Sequence, residues 1–469
     1  MTAWALDVNS APYPVTTLDV DWLQRTFVPG FAYGAERYDL PFTVELERFH
    51  GRLYEAGVPR ESNGRSEELM LDAVASLSDL WAGVLPEVQS ILAGWDGVPF
   101  DESVARARRM WELHFVIAFP ELVALSVFEG LYRELFPEAE PLAATRLLAG
   151  APTEASAADD ALWQIAQLDE PDAPLEAWLD RHGARSDGLI SVSVPSWRED
   201  RSLVEAALAA LRAGPAPAEA RARQAGLRDD AITDARSRLA AYPAAVRSRF
   251  DELLASAQVA NVLHEDHHLW IDGPVTYHSR RAILAEGHRL GIGADVFHLT
   301  VDEILAGDGV HALVSARRGE PAEATPPATV GAHGDEGDSA PPDLVSAALS
   351  KTFAPAQAES AQAGTILGNA ASPGIARGTV RVVRTLAESG RLAPGEILVT
   401  PVTTPPWTPV LARAGAVVTD AGGMLSHCAV VAREFGVPAV VGTRVATSQL
   451  EDGQLVEVDG ARGTVVVLG

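Results

Sequence analysis

Gly422-Gly423-Met424-Leu425-Ser426-His427-Cys428-Ala429-Val430-Val431-Ala432-Arg433-Glu434-Phe435-Gly436 is the stretch on which the reading of this chain turns. Just upstream, Ala416-Val417-Val418-Thr419 is a short β-rich run ending in Asp420, and glycines at 422 and 423 permit a tight turn with close backbone approach. Ser426 is placed to cap a helix that runs to about Phe435, stopped by Gly436 with Pro438 beyond it. His427 then stands in the first helical turn. Free backbone N–H groups and the positive end of the helix dipole converge there, so an anion on or beside the ring is stabilised. The same field disfavours imidazolium, and a neutral imidazole is a nucleophile. Gly422, Gly423, Ser426 and Arg433 are the candidate phosphate-binding residues around it.

The segment, carried on through Val437-Pro438-Ala439-Val440-Val441-Gly442, closely resembles the signature of the swivelling phosphohistidine domain of phosphoenolpyruvate-utilising enzymes. Gly368-Asn369-Ala370-Ala371-Ser372-Pro373-Gly374-Ile375-Ala376-Arg377-Gly378, the stretch from Pro401 to Pro409, Val458-Asp459-Gly460 and Gly463 to Val467 extend the resemblance over roughly residues 364–469. It implies that His427 is the phosphorylated residue. Short β-like runs at 379–383, 397–400, 416–419, 439–441, 454–458 and 464–467, with one clear helix after His427, predict a compact β/β/α domain.

Residues 317–345, rich in Pro, Gly and acids, predict a flexible, self-repelling linker with a reach of about 25–30 Å. A connecting helix is expected at 346–363. Upstream, residues 1–316 read as mainly helical: Val44–Ala56, Glu67–Leu80, Glu102–Phe136 and Pro217–Val262 carry apolar residues at helical spacing. The expected class is therefore multidomain α plus α/β, with a mainly helical domain followed by the compact carrier.

The upstream part resembles the acceptor-binding domain of rifampicin phosphotransferase and its relatives. The resemblance rests on Trp4-Ala5-Leu6-Asp7, Tyr13-Pro14-Val15-Thr16, Trp197-Arg198-Glu199-Asp200, Glu265-Asp266-His267-His268 and Asp295 to Glu303, in that order. The chain departs from relatives at Ala184 and Ser196, which bears on the chemistry of the acceptor site. Phosphoryl transfer to a hydroxyl needs a base and cations around the moving group. Glu265, Asp266, His267 and His268 are the candidates for the first. Arg185, Arg280 and Arg281 are the candidates for the second, with Trp197 as a further substrate-binding residue. His114 reads as a core or rim histidine, and the tryptophans as core or as the lining of an apolar pocket for an aromatic acceptor.

A length of 469 residues with 47% hydrophobic residues supplies material for about three domains, and a net charge of −27 argues against nucleic acid or an anionic membrane as partner. Cys428 is the single cysteine, which excludes an intrachain disulfide and a cysteine-based zinc site. Its place beside His427 raises a redox role, against which simple packing is the favoured reading. No secretory leader is evident, so a cytoplasmic location is expected. Trp111 to Phe128 is apolar but interrupted by Glu112, His114, Pro120 and Glu121, as in a buried helix.

No Gly-rich phosphate loop ending in Lys-Ser/Thr and no segment resembling the family's ATP-grasp domain is found. The resemblance then implies a separate ATP-grasp subunit that supplies ATP and Mg²⁺, with AMP and phosphate as the other products, a small hydroxyl-bearing acceptor, and no metal held by this chain. Two other outcomes stay open: the phosphorylation could drive dehydration of the acceptor, or the chain could be a non-catalytic docking or sensor protein controlled by phosphohistidine.

Overall fold

The computed structural model describes residues 4–6, 14–49, 51–214, 216–318, 329–330, 364–423 and 426–468. The chain divides into two compact units: Met1–Pro120, Gly188–Ser196 and His267–Val345 form the first, and Glu121–Asp187, Trp197–Asp266 and Ser346–Gly469 the second. The stretch expected as one helical domain over 1–316 is thus shared between both units. The partition falls inside two long helices, Phe100–Leu135 and Ala244–His267, so apolar periodicity carries no mark of it. The connecting segment 346–363 and nearly all of the 317–345 linker lie outside the described residues.

In the first unit the expected helix Val44–Ala56 is instead a β-hairpin. Strands Phe42–Phe49 and Arg52–Pro59 pair antiparallel, Phe42 opposite Pro59 and Phe49 opposite Arg52. The sequence explains it in retrospect: Val44 and Leu46 are buried while Glu45 and Glu47 are exposed, the period of two that a strand imposes. Gly51 takes φ 73° in the turn, a conformation that breaks any helix across it. Trp4–Leu6 and Thr329–Val330 complete this four-stranded sheet. The helix expected over Glu67–Leu80 is two helices, Ser66–Ala75 and Leu77–Ala93, bent by 81° at Ser76.

In the second unit, the helical run expected over Pro217–Val262 is divided into Pro217–Leu239 and Ala244–His267. Pro243, which lacks an N–H, sits in the break. The unit's sheet has eight strands in the order Thr365–Leu367, Thr464–Val467, Leu455–Asp459, Ile375–Val382, Ile397–Thr400, Ala416–Thr419, Ala439–Val441 and Asn369–Ser372. Ile375–Val382, Ile397–Thr400, Ala416–Thr419 and Ala439–Val441 run parallel to their successive neighbours; the other pairings are antiparallel.

Burial of the central strands on both faces explains their unbroken apolar character. Leu398, Val417, Ala439 and Val441 join one core, with Ala429, Val431 and Ala432 of the helix His427–Phe435 and with Trp178, Trp197 and Val204. Ile397, Val399, Ala416, Val418 and Val440 join the other, with Val456, Val458 and Val465. Strands Thr365–Leu367 and Asn369–Ser372 were not expected, because the first is only three residues long before Gly368 and the second, Asn-Ala-Ala-Ser, lacks β-branched and aromatic residues.

Among the described residues one helix is long and apolar enough to cross a membrane, Phe100–Leu135, and 72% of its most apolar window is buried within the protein.

Candidate active site

The approach to His427 is built by short-range constraints. Asp420 accepts hydrogen bonds from the Thr447 amide at 3.0 Å and the Thr443 hydroxyl at 3.3 Å, which anchors the end of strand Ala416–Thr419. Gly422 takes φ 114°, and a Cβ there would lie 2.9 Å from Ser426 Oγ. Ser426 is extended at φ −65°, ψ 155°, and its Oγ accepts from the Ala429 amide at 3.4 Å, as the N-cap of helix His427–Phe435. Gly436 closes the helix at φ 67°.

His427 is therefore the first helical residue, with a side chain 11% exposed. Its Nδ1 lies 3.7 Å from Glu265 Oε2, and its Nε2 is buried with no hydrogen-bonding partner among the described residues. A carboxylate on the Nδ1 side favours the tautomer protonated there, which leaves the Nε2 lone pair for attack. The adjoining cleft, about 50 Å³, is lined by Glu265, Glu434, Arg221, Asn261, Thr153 and Thr408 among others, room for water but not for an organic acceptor.

The four residues expected to act together at 265–268 are divided. Glu265 faces His427. Asp266 accepts from the Glu154 and Ala155 amides at 2.7 and 3.3 Å, at the start of helix Glu154–Ala166, and burial raises its carboxyl to about 6. His267 and His268 belong to the first unit, where their rings lie 4.8 and 6.4 Å from that of His114. Asp272 joins them: its Oδ1 is 2.8 Å from His114 Nδ1, and its Oδ2 contacts His268 Nδ1. Burial opposes ionisation of Asp272, but the two imidazoles hold its carboxyl well below the usual range. Among the described residues, His114, His267 and Asp272 form a group able to hold a metal ion.

The expected cations are engaged in internal contacts. Arg185 is buried, paired with Asp159 at 2.5 Å and stacked on Trp178. Arg280 donates to the carbonyls of Val192 and Ser193 and lies over Phe297, and Arg281 pairs with Asp96 at 2.7 Å. Arg433 donates to the Ala371 carbonyl at 2.8 Å, and burial lowers it to about 10. Trp197, expected at the substrate, is fully buried against Trp178 and presents no surface to a ligand.

Cys428 is buried, and its thiol is pushed up to about 12 by that burial, so it packs and does not ionise. Three carboxylates went unnoticed in the sequence. Asp272 follows His268 by four residues. Glu434 follows His427 by seven, two helical turns, and burial raises it to about 7. Asp187 is buried, accepts from Thr404 Oγ1 at 2.9 Å, and is raised to about 6 by desolvation. Helical spacing from a histidine is a signal for the first two; nothing local marks the third.

Residues 392–463 match the mobile domain of PEP-utilising enzymes, and residues 114–265 match the rifampicin phosphotransferase fourth domain. Chondramide synthase cmdD of Chondromyces crocatus is 32% identical over 99% of this chain and 14% of its own length. The uncharacterized phosphotransferase YvkC of Bacillus subtilis is 34% identical over 48% of this chain and 28% of its own length. Rifampicin phosphotransferase of Streptomyces sviceus is 30% identical over 66% of this chain and 36% of its own length. The chain thus spans well under half the length of these relatives. Along the sequence, the stretch similar to the rifampicin phosphotransferase fourth domain precedes the one similar to the PEP-utilising enzyme mobile domain.

Proposed function

We propose that His427 carries a phosphoryl group from ATP, held on an ATP-grasp partner with Mg²⁺, to a hydroxyl of a small organic acceptor. The observation that carries this reading is the state of the His427 ring: first residue of a capped helix, Nδ1 toward Glu265, Nε2 buried and without a hydrogen-bonding partner among the described residues. In the first step the Nε2 lone pair forms an N–P bond to the β-phosphorus as the bond from that phosphorus to the oxygen of AMP breaks and AMP leaves; water then attacks the γ-phosphorus, breaking its bond to the β-phosphoryl oxygen and releasing phosphate, so that the β-phosphoryl stays on His427. In the second, the acceptor oxygen displaces Nε2 from phosphorus, the hydroxyl proton passes to a base, and the imidazole returns to neutrality. Helix N–H groups offset charge on the phosphoryl oxygens, and Glu265 keeps Nδ1 protonated so that the ring is a good leaving group. A cytoplasmic location, where ATP is abundant, fits this reading.

The test is incubation with β- and γ-labelled ATP, with and without an ATP-grasp partner. Acid-labile β-label on the native chain, absent from His427→Ala, with γ-label released as phosphate, is expected. An unlabelled native chain beside a partner that turns ATP into AMP overturns the proposal.

A further inference from the structure

We propose that His114, His267 and Asp272 form a binding site for a divalent first-row transition cation, with His268 at its edge. The site lies wholly in the first unit and does not rest on the phosphoryl reading.

Three separate pieces of chain deliver the donors. His114 comes from the middle of helix Phe100–Leu135, His267 is the last residue of helix Ala244–His267, and Asp272 closes the π-helical turn His268–Asp272. In that turn the Gly273 amide reaches back five residues to the His268 carbonyl, a widened geometry that recurs at functional sites.

One donor atom from each of the three residues lies within 4.8 Å of the other two. His114 Nδ1 and Asp272 Oδ1 approach to 2.8 Å, yet neither is aligned for a hydrogen bond to any described residue. Two donor atoms that converge this closely, off the line of a hydrogen bond, have the disposition of neighbouring ligands. At metal–ligand distances of about 2.1 Å, ligands at right angles stand about 3 Å apart.

The setting is shielded: His267 is 1% exposed, and the side chains of His114 and Asp272 are 10% and 16% exposed. Two imidazoles and one carboxylate suit Zn²⁺, Fe²⁺, Mn²⁺ or Co²⁺ better than Ca²⁺ or Mg²⁺, and leave further positions for water or a substrate oxygen. A chain expected to hold no metal of its own therefore carries a donor set for one.

The experiment uses the untagged full chain, stripped with a chelator and titrated with Zn²⁺ and with Co²⁺. Expected are one equivalent retained through gel filtration, visible d–d bands that saturate at one equivalent of Co²⁺, and at least tenfold weaker binding in Asp272→Asn and His114→Ala. His427→Ala should bind one equivalent unchanged, which excludes the phosphohistidine candidate as the ligand. Should the cluster variants fail to fold, the native Co²⁺ spectrum decides alone. No retained metal and no d–d bands in the native chain, or full retention in folded Asp272→Asn, overturns the proposal and leaves a salt-bridged His-Asp cluster only.

Discussion

Each unit gathers histidine and carboxylate, and they do so to opposite effect. At His427 one imidazole meets one carboxylate at 3.7 Å, too far for a direct hydrogen bond, and Nε2 has no hydrogen-bonding partner among the described residues. Around Asp272 two imidazoles contact the two oxygens of one half-buried carboxylate, with a third ring alongside. A loose pair at a helix N-terminus leaves a nucleophile able to react. A tight, multidentate cluster fixes its groups, as a structural or metal-holding centre must. The difference teaches that histidine content alone assigns no role; the number and distance of carboxylate contacts do.

The largest effect that would break this comparison is at His427. His427→Ala should remove all acid-labile label in the ATP assay, and residual label would mean that another residue is the carrier. Next, Asp272→Asn should cost about 3 kcal/mol of stability in metal-free protein, since it deletes the carboxylate that two imidazoles share. Thermal unfolding checks it, and an unchanged melting temperature would make the cluster incidental.

Glu434 offers a pH test of the second unit. With its carboxyl raised to about 7 by burial, the folded state holds a proton that the unfolded chain has already lost. Stability should therefore fall as pH rises from about 4.5 to about 7, by at most about 3 kcal/mol, and Glu434→Gln should flatten that slope. Urea midpoints at pH 5 and pH 8 measure it.

Glu265→Gln sharpens the contrast with Asp272. It should leave the melting temperature nearly unchanged and slow labelling of His427 by about 10²-fold. Equal losses in stability and rate would make Glu265 structural instead. Smallest of all, Ser426→Ala should cost about 1 kcal/mol through the lost N-cap, read as a shift in urea midpoint.

Legibility differed between the two units for a physical reason. All six strand runs expected in the C-terminal region are present within a residue or a few of their bounds, as is the helix from Ser426 to Gly436. Strands buried on both faces and a helix with its own cap and stop are specified by adjacent residues. The hairpin at 42–59 was misread because Val44, Leu46 and the residues after them also fit a helical spacing, and the deciding alternation is only a few residues long. The candidate site was half legible: His427 and its cap could be read, whereas Asp272, Glu434 and Asp187 acquire meaning only from neighbours far away in the chain.

By itself, then, the sequence determined the local frame: the glycine turn, the cap, the first-turn histidine and the positions of the strands that bury both faces. These depend on interactions within a few residues, where side-chain type dictates backbone conformation. Tertiary structure alone decided that Glu265 faces His427, that Asp266 caps a distant helix, and that His114, His267 and Asp272 converge. Four consecutive polar residues on one strip of chain carry no instruction about which partner each will meet; packing of separate helices supplies that, because a 100° turn per residue sends neighbours to different surroundings.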